Sequence, residues 1–217
     1  MRRILSALAV LFAVTGGPAW ADPQTYAVAL GGRQLGTLQF NGQSRNAAFL
    51  LSLNNAPFGI KNGSFNAVTQ SNGNTASYLG ANRGSETLDI AIDRTAGRVT
   101  SVEITPSSEM TELSDAKAVP PGVLFPAELF AALATGNSCP SPLALYDGRR
   151  VVQVATQEVR EEGPAVHCDM SYRVVMGPGY VSPFYLKSFG MALVYTAGTL
   201  TKASLSGGGF KVHLIRQ

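Results

Sequence analysis

From Tyr26 onward, large apolar residues recur at every second position in short runs, and glycine, asparagine and proline break the runs apart. Successive side chains of a strand point to opposite faces, so such a chain sorts its apolar residues to one side of a sheet and makes a helical bundle a poor solution. Tyr26, Val28 and Leu30 form the first run, Gly31-Gly32 turns, and Leu38 and Phe40 return after Gly36. That is a hairpin. Phe49, Leu51 and Leu53 line a third strand closed by Asn54-Asn55-Ala56-Pro57, and Leu88, Ile90 and Ile92 turn through Thr95-Ala96-Gly97-Arg98 into Val102 and Ile104. Between these hairpins, Gly59 to Gly84 is dense in Gly, Asn and Ser, and only Phe65 and Tyr78 mark strands there.

Pro106 to Phe125 carries Ser, Glu, Pro and Ala without a period and reads as a surface crossover. The period changes at Pro126. Proline in the first helical position, Glu128 in the first turn, Leu129, Phe130 and Leu133 on one face and Gly136 past the end predict a short helix. Its apolar stripe must cover a sheet face or a barrel mouth.

The second half repeats the strand theme. Val152, Val154 and Thr156 share a face, Glu158 to Pro164 reads as an acidic loop tip, and Val166, Cys168, Met170, Tyr172, Val174 and Met176 return on one side. His167, Asp169 and Arg173 fall on the other. After an irregular connection through Gly177-Pro178-Gly179-Tyr180 and Pro183 come strands at Met191 to Tyr195, Leu200 to Leu205 and, beyond Gly207-Gly208-Gly209, Phe210 to Leu214. The expected fold is mainly β: an antiparallel curved sheet of roughly ten strands, an open or closed barrel, with one short covering helix.

The N-terminus places Arg2 and Arg3 before the apolar run Ile4 to Val14 and ends it at Ala19-Trp20-Ala21. A basic start, an apolar run too short to span a bilayer and a small-residue cleavage site have the form of a secretory signal peptide. Residues 1–21 are therefore expected to be removed, leaving one periplasmic domain over residues 22–217 with no transmembrane segment. An uncleaved anchor is the alternative. Without Arg2 and Arg3 the chain carries 15 basic against 14 acidic residues, and no basic stripe interleaved with aromatics appears, so nucleic acid is not an expected partner.

In an oxidising compartment the two cysteines, Cys139 and Cys168, pair most simply with each other, and the closed loop removes on the order of 3–4 kcal/mol of unfolded-chain entropy. Zinc is the rival use. His167 and His213 are the sequence's two histidines and there is no Cys-x-x-Cys pair, so no metal and no cofactor are expected.

These features resemble a bacterial exported family, domain of unknown function 3108. The resemblance rests on Tyr26-x-Val-x-x-x-Gly32-x-x-x-Gly36, the helix from Pro126, Cys139 followed by Tyr146-Asp147-Gly148-Arg149-Arg150, Cys168 on the return strand and the terminal Gly-Gly-Phe-x-Val-x-Leu run. It spans the whole mature chain and implies a single secreted β-rich domain, an open or closed antiparallel barrel, with no assigned reaction or ligand. Gly59 to Gly84 is poorer here in aromatic and basic residues than the family's corresponding segment.

Candidate chemistry is sparse. His167 and Asp169 flank Cys168 but point to the opposite face of its strand, and a disulfide sulfur is no nucleophile, so no catalytic residue is expected. Asp147-Gly148 is a turn signal, and the forked guanidinium groups of Arg149 and Arg150 suit a carboxylate or phosphate; the plainer reading is a capped turn with paired or solvated arginines. The inward residues Phe49, Leu88, Ile90, Ile92, Val152, Met170, Tyr172, Val174 and Phe210 either fill a core or line a cavity. Two functions follow. One is a non-enzymatic carrier that takes a lipid or other apolar small molecule inside the curved sheet, with the helix near Leu129 as lid. The other is a cell-envelope assembly factor with a solidly packed core that contacts another envelope protein.

Overall fold

The computed structural model describes residues 23–43, 46–57, 61–84, 86–179 and 186–217. The expected signal segment lies outside the described residues, as does the stretch 180–185 with Tyr180 and Pro183. Among the described residues thirteen strands, more than the roughly ten anticipated, form one antiparallel sheet. They are β1 (Gln24–Leu30), β2 (Arg33–Gln43), β3 (Asn46–Leu53), β4 (Gly63–Asn72), β5 (Thr75–Arg83), β6 (Thr87–Thr95), β7 (Arg98–Thr105), β8 (Leu143–Tyr146), β9 (Val151–Glu162), β10 (Ala165–Met176), β11 (Ser188–Thr196), β12 (Thr199–Gly207) and β13 (Phe210–Arg216). Strands that follow each other in sequence pair, except β7 and β8, and β1 also pairs with β13, so the lateral order runs β7 to β1 and then β13 back to β8. The sheet curves without closing.

Its two edges, β7 and β8, are joined by the segment that holds the helix α1 (Pro126–Thr135). Part of that segment departs from the surface crossover expected of it. Leu113, Val119, Val123 and Phe125 are buried, and three short 3-10 turns (Ser107–Glu109, Glu112–Ser114, Ala116–Ala118) lie along β7. The Leu124 N–H donates to the Ala144 carbonyl at 2.7 Å and the Tyr146 N–H to the Leu124 carbonyl at 2.8 Å, while the Gly122 N–H donates to the Gly97 carbonyl at 2.9 Å. An edge strand with unpaired amides is a template for aggregation, and this strip covers both edges at once.

The helix does not cap a mouth from outside. It lies against the concave face, touching β2, β3, β4, β8 and β12, and buries Ala127, Glu128, Leu129, Ala131, Leu133 and Ala134. Phe130 reaches across to β1–β3, its ring 5.8 Å from Tyr26, 5.0 Å from Phe40 and 5.7 Å from Phe49. Phe125 packs 5.5 Å from Tyr78, and the Tyr195 hydroxyl donates to the Leu133 carbonyl at 2.9 Å. Small inward residues account for the weak strand signal of β4 and β5. The inward row Phe40, Phe49, Ala67, Gly80, Ile90, Ile104 runs in register across six strands, and it is small where it crosses those two. A Cβ on Gly80 would stand 2.4 Å from the Tyr78 hydroxyl.

Cys139, just past the helix, is bonded to the buried Cys168 of β10 with 5.5 Å between Cα atoms, and the Thr156 hydroxyl donates to the Pro140 carbonyl at 2.7 Å. The helix exit is thereby fixed to the sheet. Glu158 to Glu162 extend β9 rather than forming a loop, paired with β10 up to the turn at Gly163. These residues remain exposed, with Arg160 on Asp169 at 2.9 Å and His167 3.5 Å from Glu162.

Candidate functional site: the lumen between the helix and the sheet

Thirteen strands enclose more space than one ten-residue helix fills. What is left is a cavity of about 580 Å³, walled on one side by Pro126, Leu129, Phe130 and Leu133. The opposite wall comes from both halves of the sheet: Val28, Leu38, Phe49, Leu51, Phe65 and Leu88 from the first, Leu145, Tyr172, Met191, Leu200, Val212 and Leu214 from the second. Phe49, Leu51, Phe65, Val212 and Leu214 are only partly buried, and Leu205, in register between Met191 and Val212, is 43% exposed although it faces inward. The lumen therefore opens along β3–β4 and β12–β13 and is packed solid elsewhere.

Of the nine inward residues named from the sequence, Phe49, Leu88, Ile90 and Tyr172 line this cavity. Ile92, Val152, Met170 and Val174 do not. They are buried in the packed part of the core, where Phe125 and Tyr146 fill the interior. Phe210 sits at the end of β13 beside the last turn, 37% exposed, and is not among the lining residues. The lining from the helix and from β11 and β12 escaped the sequence reading because it required knowing that the helix lies inside.

One end of the cavity is charged. Asp147, Arg149 and Arg150 line it, from the turn that joins β8 to β9. Asp147 Oδ1 accepts the backbone N–H groups of Arg149 and Arg150, both at 3.0 Å, which is how an aspartate caps a turn. Gly148 has φ +96°, and a Cβ there would meet the Ile90 methyl at 3.1 Å, so the turn is pressed against the inward face of β6. The Tyr146 hydroxyl donates to the Leu113 carbonyl at 2.6 Å and that of Ser114 to the Gly148 carbonyl at 3.0 Å, binding the turn to the seam strip. Burial, then the Asp147 carboxylate, push the Tyr146 pKa well above the ordinary phenol value.

The two arginines diverge. Arg150 is almost fully buried, donating Nε to Asp147 Oδ2 at 2.7 Å and Nη1 to the Gly179 carbonyl at 3.0 Å, and it serves the turn. Arg149 gives Nη1 to Glu109 at 2.5 Å from a side chain only 12% exposed, and its buried Nε has no hydrogen-bond partner among the described residues. A second charged pair, Arg94 and Glu128, lies outside the cavity lining. Nη2 donates to Oε1 at 2.6 Å and Nη1 to Oε2 at 3.0 Å, Glu128 also accepts the Phe125 N–H at 2.8 Å, and the guanidinium lies 4.7 Å over the Phe125 ring. That pair fixes the start of the helix. His167 and Asp169 lie on the polar side of β10, away from Cys168.

No family model matches the chain, and no curated protein does. The resemblance to domain of unknown function 3108 thus gains no family match, but a solved structure is similar over almost the whole chain. It is a β-barrel-like protein of the domain of unknown function DUF1849 from Brucella abortus, 12% identical, covering 90% of this chain and 95% of that one with a TM-score of 0.51. At that identity the likeness is one of fold: a curved, mainly β architecture shared with a protein whose function is likewise unknown.

Proposed function

We propose that the protein is a non-enzymatic periplasmic carrier, akin to the exported 3108 group, which holds a hydrophobic or amphiphilic small molecule between α1 and the curved sheet. The observation that supports this reading is the cavity of about 580 Å³, apolar along its length and polar only where Asn82 and the 147–150 turn reach it. Small-molecule sites occupy roughly 300–1,000 Å³ and have this pattern of apolar walls with few polar groups. The solidly packed core of the assembly-factor reading is harder to reconcile with such a space. One observation favours that second reading: Leu79 is 60% exposed on the convex face, in a registered row with Ala48, Val68 and Ala91.

Native mass spectrometry of protein purified from the periplasm, followed by lipid extraction, tests the carrier. A reproducible apolar species bound one to one is the expected result. Empty protein in every preparation, together with no uptake of the neutral apolar dye N-phenyl-1-naphthylamine, overturns it.

A further inference from the structure

We infer that the molecule held in the lumen is a single-chain amphiphile with an anionic head, carboxylate or phosphate monoester, and that Arg149 is the residue that meets the head. This inference rests on the carrier reading. The cavity wall is apolar except where Asn82 and the 147–150 turn reach it, and the charged side chains of that turn do not balance equally. Asp147 is consumed by two backbone amides and by Arg150, and Arg150 is held on its other side by the Gly179 carbonyl. Arg149 keeps a buried Nε–H without an acceptor among the described residues.

Leaving such a donor buried and unmatched is costly, and an anionic oxygen compensates a guanidinium better than a neutral one does. The partner that holds Arg149, Glu109, comes from the first 3-10 turn of the seam strip and is itself 36% exposed. It can return to water. An incoming anion would exchange with Glu109, the guanidinium turning its Nε edge toward the cavity while the acyl chain lies along Leu129, Phe130 and Leu51. A chain with a single charged head fits a lumen whose charged side chains all come from a single turn.

Displacement of N-phenyl-1-naphthylamine, which is neutral, provides the test. On the wild-type protein, palmitate or hexadecyl phosphate should displace it at least about tenfold more tightly than hexadecanol. In Arg149→Met the dye should still bind and the advantage of the anions should vanish. Glu109→Gln, which removes the competitor without touching the cavity wall, should strengthen the anions and leave hexadecanol unchanged; it carries the test alone should Arg149→Met not fold. Equal displacement by anions and alcohol in the wild type overturns the inference and leaves the carrier standing. Failure of the dye and all three amphiphiles to bind removes the carrier as well.

Discussion

Among single residues, the buried charges are committed to architecture. Glu128 holds Arg94 with both oxygens and accepts the Phe125 amide just before the helix, so removing it strands a guanidinium inside the protein. Breaking one partner of a buried pair costs about 3–5 kcal/mol. Glu128→Ala is expected to lower the urea midpoint accordingly, with an unchanged slope. The buried tyrosines give a pH signature. Burial raises the pKa of Tyr26 and Tyr146 and takes Tyr195 to about 12. Because folding raises these values above the ordinary 10, the unfolded chain loses the protons first. The stability they supply is whole below pH 10 and drains away between 10 and about 12. Ultraviolet titration should show these phenols ionising late and together with unfolding. The sequence marked Asp147 and the arginines as a turn with a choice of fates. Which arginine was spent was not legible, because Gly179 and Glu109, the groups that decide it, lie 29 and 40 residues away.

Among elements, α1 carries most of the difference between what could be read and what is there. Its existence, its proline start and its glycine stop were plain from the residues. Its place was not, since an apolar stripe covers a concave surface as readily as a mouth. Phe130 is where that placement can be probed: it stacks on three strands and also lines the cavity. Phe130→Ala should cost about 3–5 kcal/mol, whereas Leu79→Ala on the convex face should fall within about 0.5. The small residues of β4 and β5, which weakened the strand signal, leave room for the helix over β4 and for the Tyr78 ring beside Gly80. The disulfide was foreseen from two cysteines and an exported form, and it joins the helix exit to β10 across 29 residues. Replacing both cysteines by serine should remove about 3–4 kcal/mol and leave dye uptake in place.

For the whole molecule, period-two patterning was enough to foresee a curved antiparallel meander, because every ladder but one joins strands that follow each other in the chain. The exception is β1 with β13, registered from Tyr26 on Arg216 to Leu30 on Val212. Nothing local announces it. Deleting Phe210–Arg216 should therefore expose two long edges in the middle of the sheet, and light scattering should report self-association where loss of a surface hairpin would be tolerated.

That pairing also sets an order of events. Wherever the chain emerges from its amino end, β1 comes first among the described strands and its second partner last, so the amino-terminal half has an open flank until β13 follows. If the halves close only when β13 docks on β1, a holding factor that shields β1 until then would act on this protein before any ligand does.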